Sequence, residues 1–383
     1  MPRTTTIQPQ PAPIVDFATP PPDLISMLAA PRPAGGPLLS ALSALRGEAI
    51  APLLQRIAYH RIDGLAHRVL TTLPVDRVHP WLIATLRRRR QRQAAATLAQ
   101  GLALAEVLET LQRSRVPVIV MRGLRTVEAI YGDPGARPFE DHDLLILPGD
   151  LPSARRAFAR LGFSEEAEGL HRRGGMLIDL HSDPLGARRR PTRRTLFPVP
   201  VTALFDRAPA GRVAGAPALF LSPEDDLLLM AIHLVKHSFD RLIRVADLAH
   251  LLTSTGAALD WERIRRCAQD PGMRRILGWG LAAAGRLGAS SPPDLMHGGR
   301  PGRIESFLME RALALRPVPW CGEALMALAV PTWRNRILFV LDALLPAGEC
   351  AEGGWGRVSA IPRRSPQLMQ QAARTATSRM SFL

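Results

Sequence analysis

The chain has 383 residues, 46% of them hydrophobic, with 49 Lys plus Arg against 34 Asp plus Glu and a formal net charge of +15. That length and apolar fraction support a buried core in two or three layers or domains. No run of about 18 apolar residues is free of charge, which argues against a transmembrane helix, and the first residues lack the apolar stretch of a secretory signal. Cys267, Cys321 and Cys350 have no metal-ligand spacing and fit a reducing cytoplasm better than a disulfide framework. The positive charge favours anionic partners such as nucleotides, nucleic acid or an acidic peptide. With Lys236 the single lysine, however, the enrichment in Arg, Ala, Pro and Gly is equally what a GC-rich genome produces.

Residues 1–37 read as a disordered leader and a Pro/Gly-rich linker. An N-terminal helical region follows over 38–115, with helices expected at 37–48, 50–70 and 81–114 from the spacing of their apolar residues. The last of these carries Arg87, Arg88, Arg89, Arg90 and Arg92. They form either a ridge for phosphate or, as charge runs more often do, a solvated helix face. Its second half, with Leu98, Leu102, Leu104, Val107, Leu108 and Leu111, is expected to pack on the strand that follows.

A core module spans 116–221. Residues 116–121 read as a buried strand that turns at Arg122-Gly123 into a helix over 124–131. Asp141 and Asp143 then stand at the mouth of an apolar run ending at Leu147. In an extended strand they share one face, with His142 on the other. Two carboxylates on one face repel unless a cation lies between them, and a hard divalent ion takes such oxygen ligands together with substrate phosphates. Arg137 either contacts phosphate or makes a structural ion pair with Glu140 or Asp133. A helix over 151–161 closes at Gly162, and a hairpin through Gly174-Gly175 leads into a strand carrying Asp179, with His181 on the same face. The run Arg188 to Arg194 reads as a loop that grips an anionic substrate or as a solvated linker. Short strands are expected at 199–201 and 217–221.

A C-terminal helical domain is expected over 222–350, followed by a flexible tail at 351–383. Ser222-Pro223-Glu224-Asp225 is a strong helix start. His233 and His237, four apart, share a face of that helix. They lack the Glu of a zinc-protease motif and are read as a packed or substrate-side pair rather than as metal ligands. Asp247 falls in the middle of the next helix, expected over 242–252.

The order of these motifs is an apolar strand, Arg122-Gly123, a helix ending near Tyr131, Arg137…Asp141-His142-Asp143, Leu161-Gly162-Phe163 and Ile178-Asp179-Leu180-His181. It resembles the nucleotidyltransferase superfamily that includes DNA polymerase β, and more closely a family of mostly uncharacterised bacterial nucleotidyltransferases. The likeness covers roughly residues 45–290. It departs at Arg122, where Lys is usual, and at Leu124, where the superfamily has a Ser after the Gly. The resemblance implies an α+β fold with a small mixed-sheet core between N-terminal helices and a C-terminal helical domain. It implies Asp141, Asp143 and Asp179 as catalytic metal ligands for two Mg²⁺ ions, with Mn²⁺ as a substitute. Arg122, Gly123 and Arg137 would bind the nucleotide, and His181, His233, His237 and Asp247 would lie on the substrate side. The partners implied are an NTP and an acceptor, a peptide natural product or metabolite before a tRNA or protein. The rival reading is a catalytically inactive nucleotide- or nucleic-acid-binding protein with the same fold.

Overall fold

The structure is a computed structural model and describes residues 22–45, 47–185, 192–193, 196–197, 199–297, 302–313 and 321–344. The expected flexible tail at 351–383 and the first 21 residues of the expected leader lie outside these, as does most of the Arg188 to Arg194 run.

Five helices come first: α1 (Pro22–Ala29), α2 (Gly35–Ser43), α3 (Ile50–His60), α4 (Asp63–Leu70) and α5 (Pro80–Arg113). α1 falls within the stretch read as a disordered leader. Leu24 and Leu28 are fully buried, and each contributes about 1.5–3 kcal/mol by leaving water, which ties this segment to the fold. The helix expected over 50–70 is two helices, because Arg61 takes a left-handed φ of 61° between α3 and α4. α5 has the length and apolar composition to cross a membrane by those criteria alone. In this fold its buried residues pack on α4 at one end and on the sheet and α7 at the other. Leu104, Val107, Leu108 and Leu111 are buried as expected, but Leu98 and Leu102 are exposed and do not pack on the strand. The arginine run is partly structural. Arg89 binds Asp63 at 2.8 Å, and Arg90 binds both oxygens of Asp133 at 2.9 and 3.2 Å.

The core follows as β1 (Ile119–Val120), α6 (Leu124–Thr126) running into a π-turn at Val127–Tyr131, β2 (His142–Leu145) and α7 (Leu151–Arg160). Then come β3 (Ser164–Ala167), β4 (Leu170–Arg173), β5 (Met176–His181), α8 (Val201–Asp206), β6 (Ala210–Val213) and β7 (Ala216–Leu219). A helix stands at Val201 where a strand was expected. The seven strands form one mixed sheet in the order β3-β4-β5-β2-β1-β7-β6. β2 pairs in parallel with β5 and β1 in parallel with β7, and the other pairs are antiparallel.

Alternation along the strands sends side chains to two faces. Val118, Val120, Leu144, Ile146, Ile178 and Leu180 pack with α5 and α7 in one core. Ile119, Met121 and Leu145 face a second, larger core built by the N-terminal helices and by α9 (Pro223–Lys236), α10 (Leu242–Thr255), α11 (Trp261–Cys267) and α12 (Pro271–Gly285). α13 (Pro293–His297), α14 (Arg303–Leu313), α15 (Cys321–Ala329) and α16 (Trp333–Leu344) complete the helical half. Local chemistry fixes the helix starts. Ser222 Oγ accepts from Asp225 N at 3.3 Å with Pro223 at the first position, and Asp270 accepts from Gly272 N at 2.7 Å. The fold is the α+β arrangement expected, with a mixed-sheet core and a helical C-terminal half.

Candidate active site

The site is set by strand register. β2 and β5 run in parallel with Asp143 opposite Asp179 and Leu145 opposite His181. Residues opposite each other on adjacent strands project to the same face, so carboxylates 36 positions apart in the sequence stand side by side. Ligand atoms of Asp143, Asp179 and His181 all lie within 4.8 Å of one another. They share a face with Leu145, the one turned toward α9 and α10.

Asp143 is buried, and both its oxygens are used. Arg122 Nε donates to Oδ2 at 2.8 Å, and His181 Nε2 lies 2.8 Å from Oδ1. Burial alone would push this carboxyl up. The Arg122 guanidinium and the His181 ring outweigh burial and hold it well below the usual carboxylate range. His181 Nε2 also lies 3.3 Å from Asp179 Oδ2, so the ring bridges the pair. Asp179 Oδ1 is buried with no hydrogen-bond partner.

Asp141 precedes β2 and lies outside the tight cluster. It is still close enough to respond to it. Its carboxyl is pushed up to about 6 by burial and by the charge of Asp143, with Asp179 and Glu140 adding and Arg122 opposing. Three acidic groups with one oxygen unpartnered and one carboxyl raised by its neighbours' charge suit a hard divalent cation, which takes oxygen ligands and lowers such repulsion. Asp143, Asp179 and Asp141 would supply those oxygens.

His142 points to the opposite face, as the alternation required, and is fully buried. Burial holds its ring pKa down to about 4, against the pull of Asp143, so it is neutral at physiological pH. Its Nδ1 lies 3.5 Å from Leu124 N, and the ring packs on Phe139. Beside it Gly123 takes φ +83°, and a Cβ there would stand 2.7 Å from both Asp141 O and His142 Nδ1. The strand-to-helix turn is thus glycine by necessity, and its close packing keeps Arg122 against Asp143.

Arg137 and Asp247, expected to face phosphate and substrate, bind each other. Arg137 Nε donates to both Asp247 oxygens at 2.9 Å and Nη2 lies 2.8 Å from Oδ2, while Tyr131 Oη donates to Oδ1 at 2.8 Å. This buried knot joins the core to α10. Neither acidic residue expected to pair with Arg137 holds it: Glu140 pairs with Arg61 and Asp133 with Arg90.

α9 forms the wall across from the carboxylates. The His233 and His237 rings meet at a tilt, 4.3 Å between centroids. Burial, with Arg122 and the neighbouring cations adding, holds both rings well below the usual histidine range, so they are neutral. Lys236 lies on the same face of the helix, and a cleft lined by Arg122, Arg193, His233 and Lys236 opens beside the site. Sequence reasoning gave no role to Lys236. The signal present was its being the one lysine in an arginine-rich chain. Arg193 belongs to the expected substrate-gripping run, but its Nη2 lies 2.9 Å from Glu323.

A family model described as an uncharacterised nucleotidyltransferase matches residues 47–288, more than half of the chain. The chain belongs to that nucleotidyltransferase family. No curated protein and no solved structure matches it. The family segment runs from just before α3 to just after α12. It therefore takes in the carboxylate cluster, the Arg137–Asp247 knot and the wall made by α9, and it leaves out α1, α2 and α13 to α16.

Proposed function

We propose that this nucleotidyltransferase moves NMP from an NTP to a hydroxyl or phosphate acceptor with the help of divalent cations. The observation that carries the reading is the Asp143–Asp179 register on adjacent parallel strands, with Asp179 Oδ1 left unpartnered in a buried position. Asp143 and Asp179, with Asp141 beside them, would hold Mg²⁺ or Mn²⁺. Bound there, the metal would neutralise charge on the phosphates and lower the pKa of the acceptor oxygen. In the transfer, the acceptor oxygen forms a bond to the α-phosphorus, the bond from that phosphorus to the bridging oxygen breaks, and pyrophosphate leaves. The Asp179 carboxylate, beside the reacting centre, receives the acceptor proton. His181 keeps the two carboxylates in place by bridging them. Arg122 and the Gly123 turn stand on the nucleotide side.

A second reading, a nucleotide-binding protein without catalysis, has one observation in its favour. Arg122 and His181 occupy both oxygens of Asp143, one of the carboxylates a metal would use. One assay separates the two. The full chain is incubated with each labelled NTP, Mg²⁺ or Mn²⁺ and candidate acceptors, beside a D141A/D143A double variant. Transfer of label by the native chain, lost in the variant, supports the enzyme. Metal-dependent NTP binding with no transfer to any hydroxyl or phosphate acceptor supports the binding protein.

A further inference from the structure

Lys236, the one lysine among 49 basic residues, ends α9 in the cleft beside the carboxylates. The cleft's other cations each hold an acidic partner. Arg122 Nε lies 2.8 Å from Asp143, and Arg193 Nη2 lies 2.9 Å from Glu323 while its Nη1 donates to Leu185 O at 3.3 Å. Lys236 has no hydrogen-bond or ion-pair partner among the described residues, and its side chain remains open to solvent. The walls around it and the charges of Arg193 and Arg122 push its ammonium down to about 8, against the pull of Asp143 and Asp179. It is therefore mostly protonated at neutral pH, and it sits within electrostatic reach of both the arginines and the carboxylates.

We propose that Lys236, backed by Arg193 and the Arg122 guanidinium, binds the terminal phosphates of the nucleotide. The inference rests on the nucleotidyl-transfer reading and deepens it by assigning the leaving-group end of the substrate. Transfer places the α-phosphorus at the Asp143–Asp179 pair, and the β- and γ-phosphates carry most of the charge that remains. A single unpaired ammonium with three donors is the group a narrow cleft can turn toward phosphate oxygens. The two arginines raise the local positive potential while held in place by their own acidic partners. His233, neutral, adds a ring that can share a hydrogen bond without adding charge.

The test uses inorganic triphosphate with Mg²⁺ as the probe, titrated calorimetrically into the full-length wild type, K236A and K236R, with AMP as the control ligand. Loss of one charge-assisted contact is expected to weaken triphosphate binding by about tenfold or more in K236A. AMP binding stays unchanged, and K236R recovers affinity to within a few-fold of wild type. K236Q keeps most of the side-chain stem and gives the same comparison should K236A unfold. Equal affinity of wild type and K236A for triphosphate overturns the assignment, as does a wild type that does not bind triphosphate. Failure of this subsite and failure of the transferase reading are separable. Triphosphate binding that depends on Lys236 without label transfer to any acceptor leaves the subsite standing and removes the enzyme. Label transfer with an unchanged KM for NTP in K236A does the reverse.

Discussion

Replacing Asp247 by Ala removes the acceptor for three groups at once. The Asp247 side chain is 5% exposed and that of Arg137 is 11% exposed, so the pair is shielded from water. In the variant the Arg137 guanidinium keeps its charge in a buried position with its Nε and Nη2 bonds gone, and Tyr131 Oη loses the bond it makes at 2.8 Å. Breaking a buried ion pair from one side costs about 3–5 kcal/mol. Against a total stability of roughly 5–15 kcal/mol this is a large fraction. Urea unfolding followed by circular dichroism should show it as a lower midpoint at similar slope. The double variant R137M/D247L removes both charges and keeps apolar volume, and should recover most of the loss, because a well-packed apolar replacement is often neutral or stabilising. A cost below about 1 kcal/mol for D247A, or a double variant as unstable as the single one, would refute a structural knot. NTP titration of the folded double variant reads the other role. Unchanged affinity confines Arg137 to the joint between core and α10, and a lost affinity restores it to the phosphate side.

Asp179→Asn keeps the size of the side chain but removes a metal-ligand charge, and should reduce label transfer by on the order of 10³-fold with the fold intact; near-normal transfer would mean the cluster is not catalytic. Gly123→Ala forces a Cβ to 2.7 Å from Asp141 O and His142 Nδ1 at φ +83°, so it should cost more than about 1 kcal/mol in denaturant unfolding, and a variant as stable as wild type would contradict the packing. Lys236 titrates near 8, below the ordinary lysine value of 10.5, so the unfolded chain binds more protons between those values and this group's contribution to stability rises with pH across that window. For the same reason triphosphate affinity should fall above about pH 8 in wild type and stay flat to about pH 10 in K236R, because arginine remains charged. Identical pH profiles for the two proteins would rule out Lys236 as the responsible group.

What the sequence made visible was whatever depends on short-range pattern. His142 and Asp143 sort to opposite faces because a strand has a period of two, whereas Asp141, expected to share the face of Asp143, precedes β2 and lies outside the cluster. Ser222, Pro223 and Asp225 start α9 because a cap is local chemistry, and Asp179 with His181 share a face for the same reason as the first pair. The register that sets Asp143 beside Asp179 is a different matter. It depends on the neighbour of β2 in the sheet, which no residue near Asp143 specifies. Only the likeness to a known family supplied it. Partner choice was likewise hidden. Arg137 has acidic residues at 133 and 140 close in sequence and bonds instead to Asp247, 110 positions away, because three-dimensional packing and not chain proximity decides which carboxylate is reachable. Leu98 and Leu102 read as core by composition and are solvent-facing, since α5 turns that stripe away from the sheet. α1 was missed because its eight residues lie in a Pro-rich stretch, and what holds it is burial of Leu24 and Leu28 rather than local propensity.

The distribution of charge shows where a cation has most to gain. Like charges opposite each other on adjacent strands are destabilising, and at Asp143 the chain offsets that internally with Arg122 and His181. Asp143 is therefore the satisfied member of the cluster, held well below the usual carboxylate range. The less compensated groups are Asp179, whose Oδ1 has no partner, and Asp141, whose carboxyl is raised to about 6. A divalent ion at the cluster would meet Asp143 already fixed in orientation by Arg122 and His181. Arginine at 122 suits that role, because its planar guanidinium holds Asp143 through Nε, whereas lysine would bring a single flexible point charge. Arg122 thus fixes how Asp143 is held, and Lys236 on α9 brings a point charge to the same cleft.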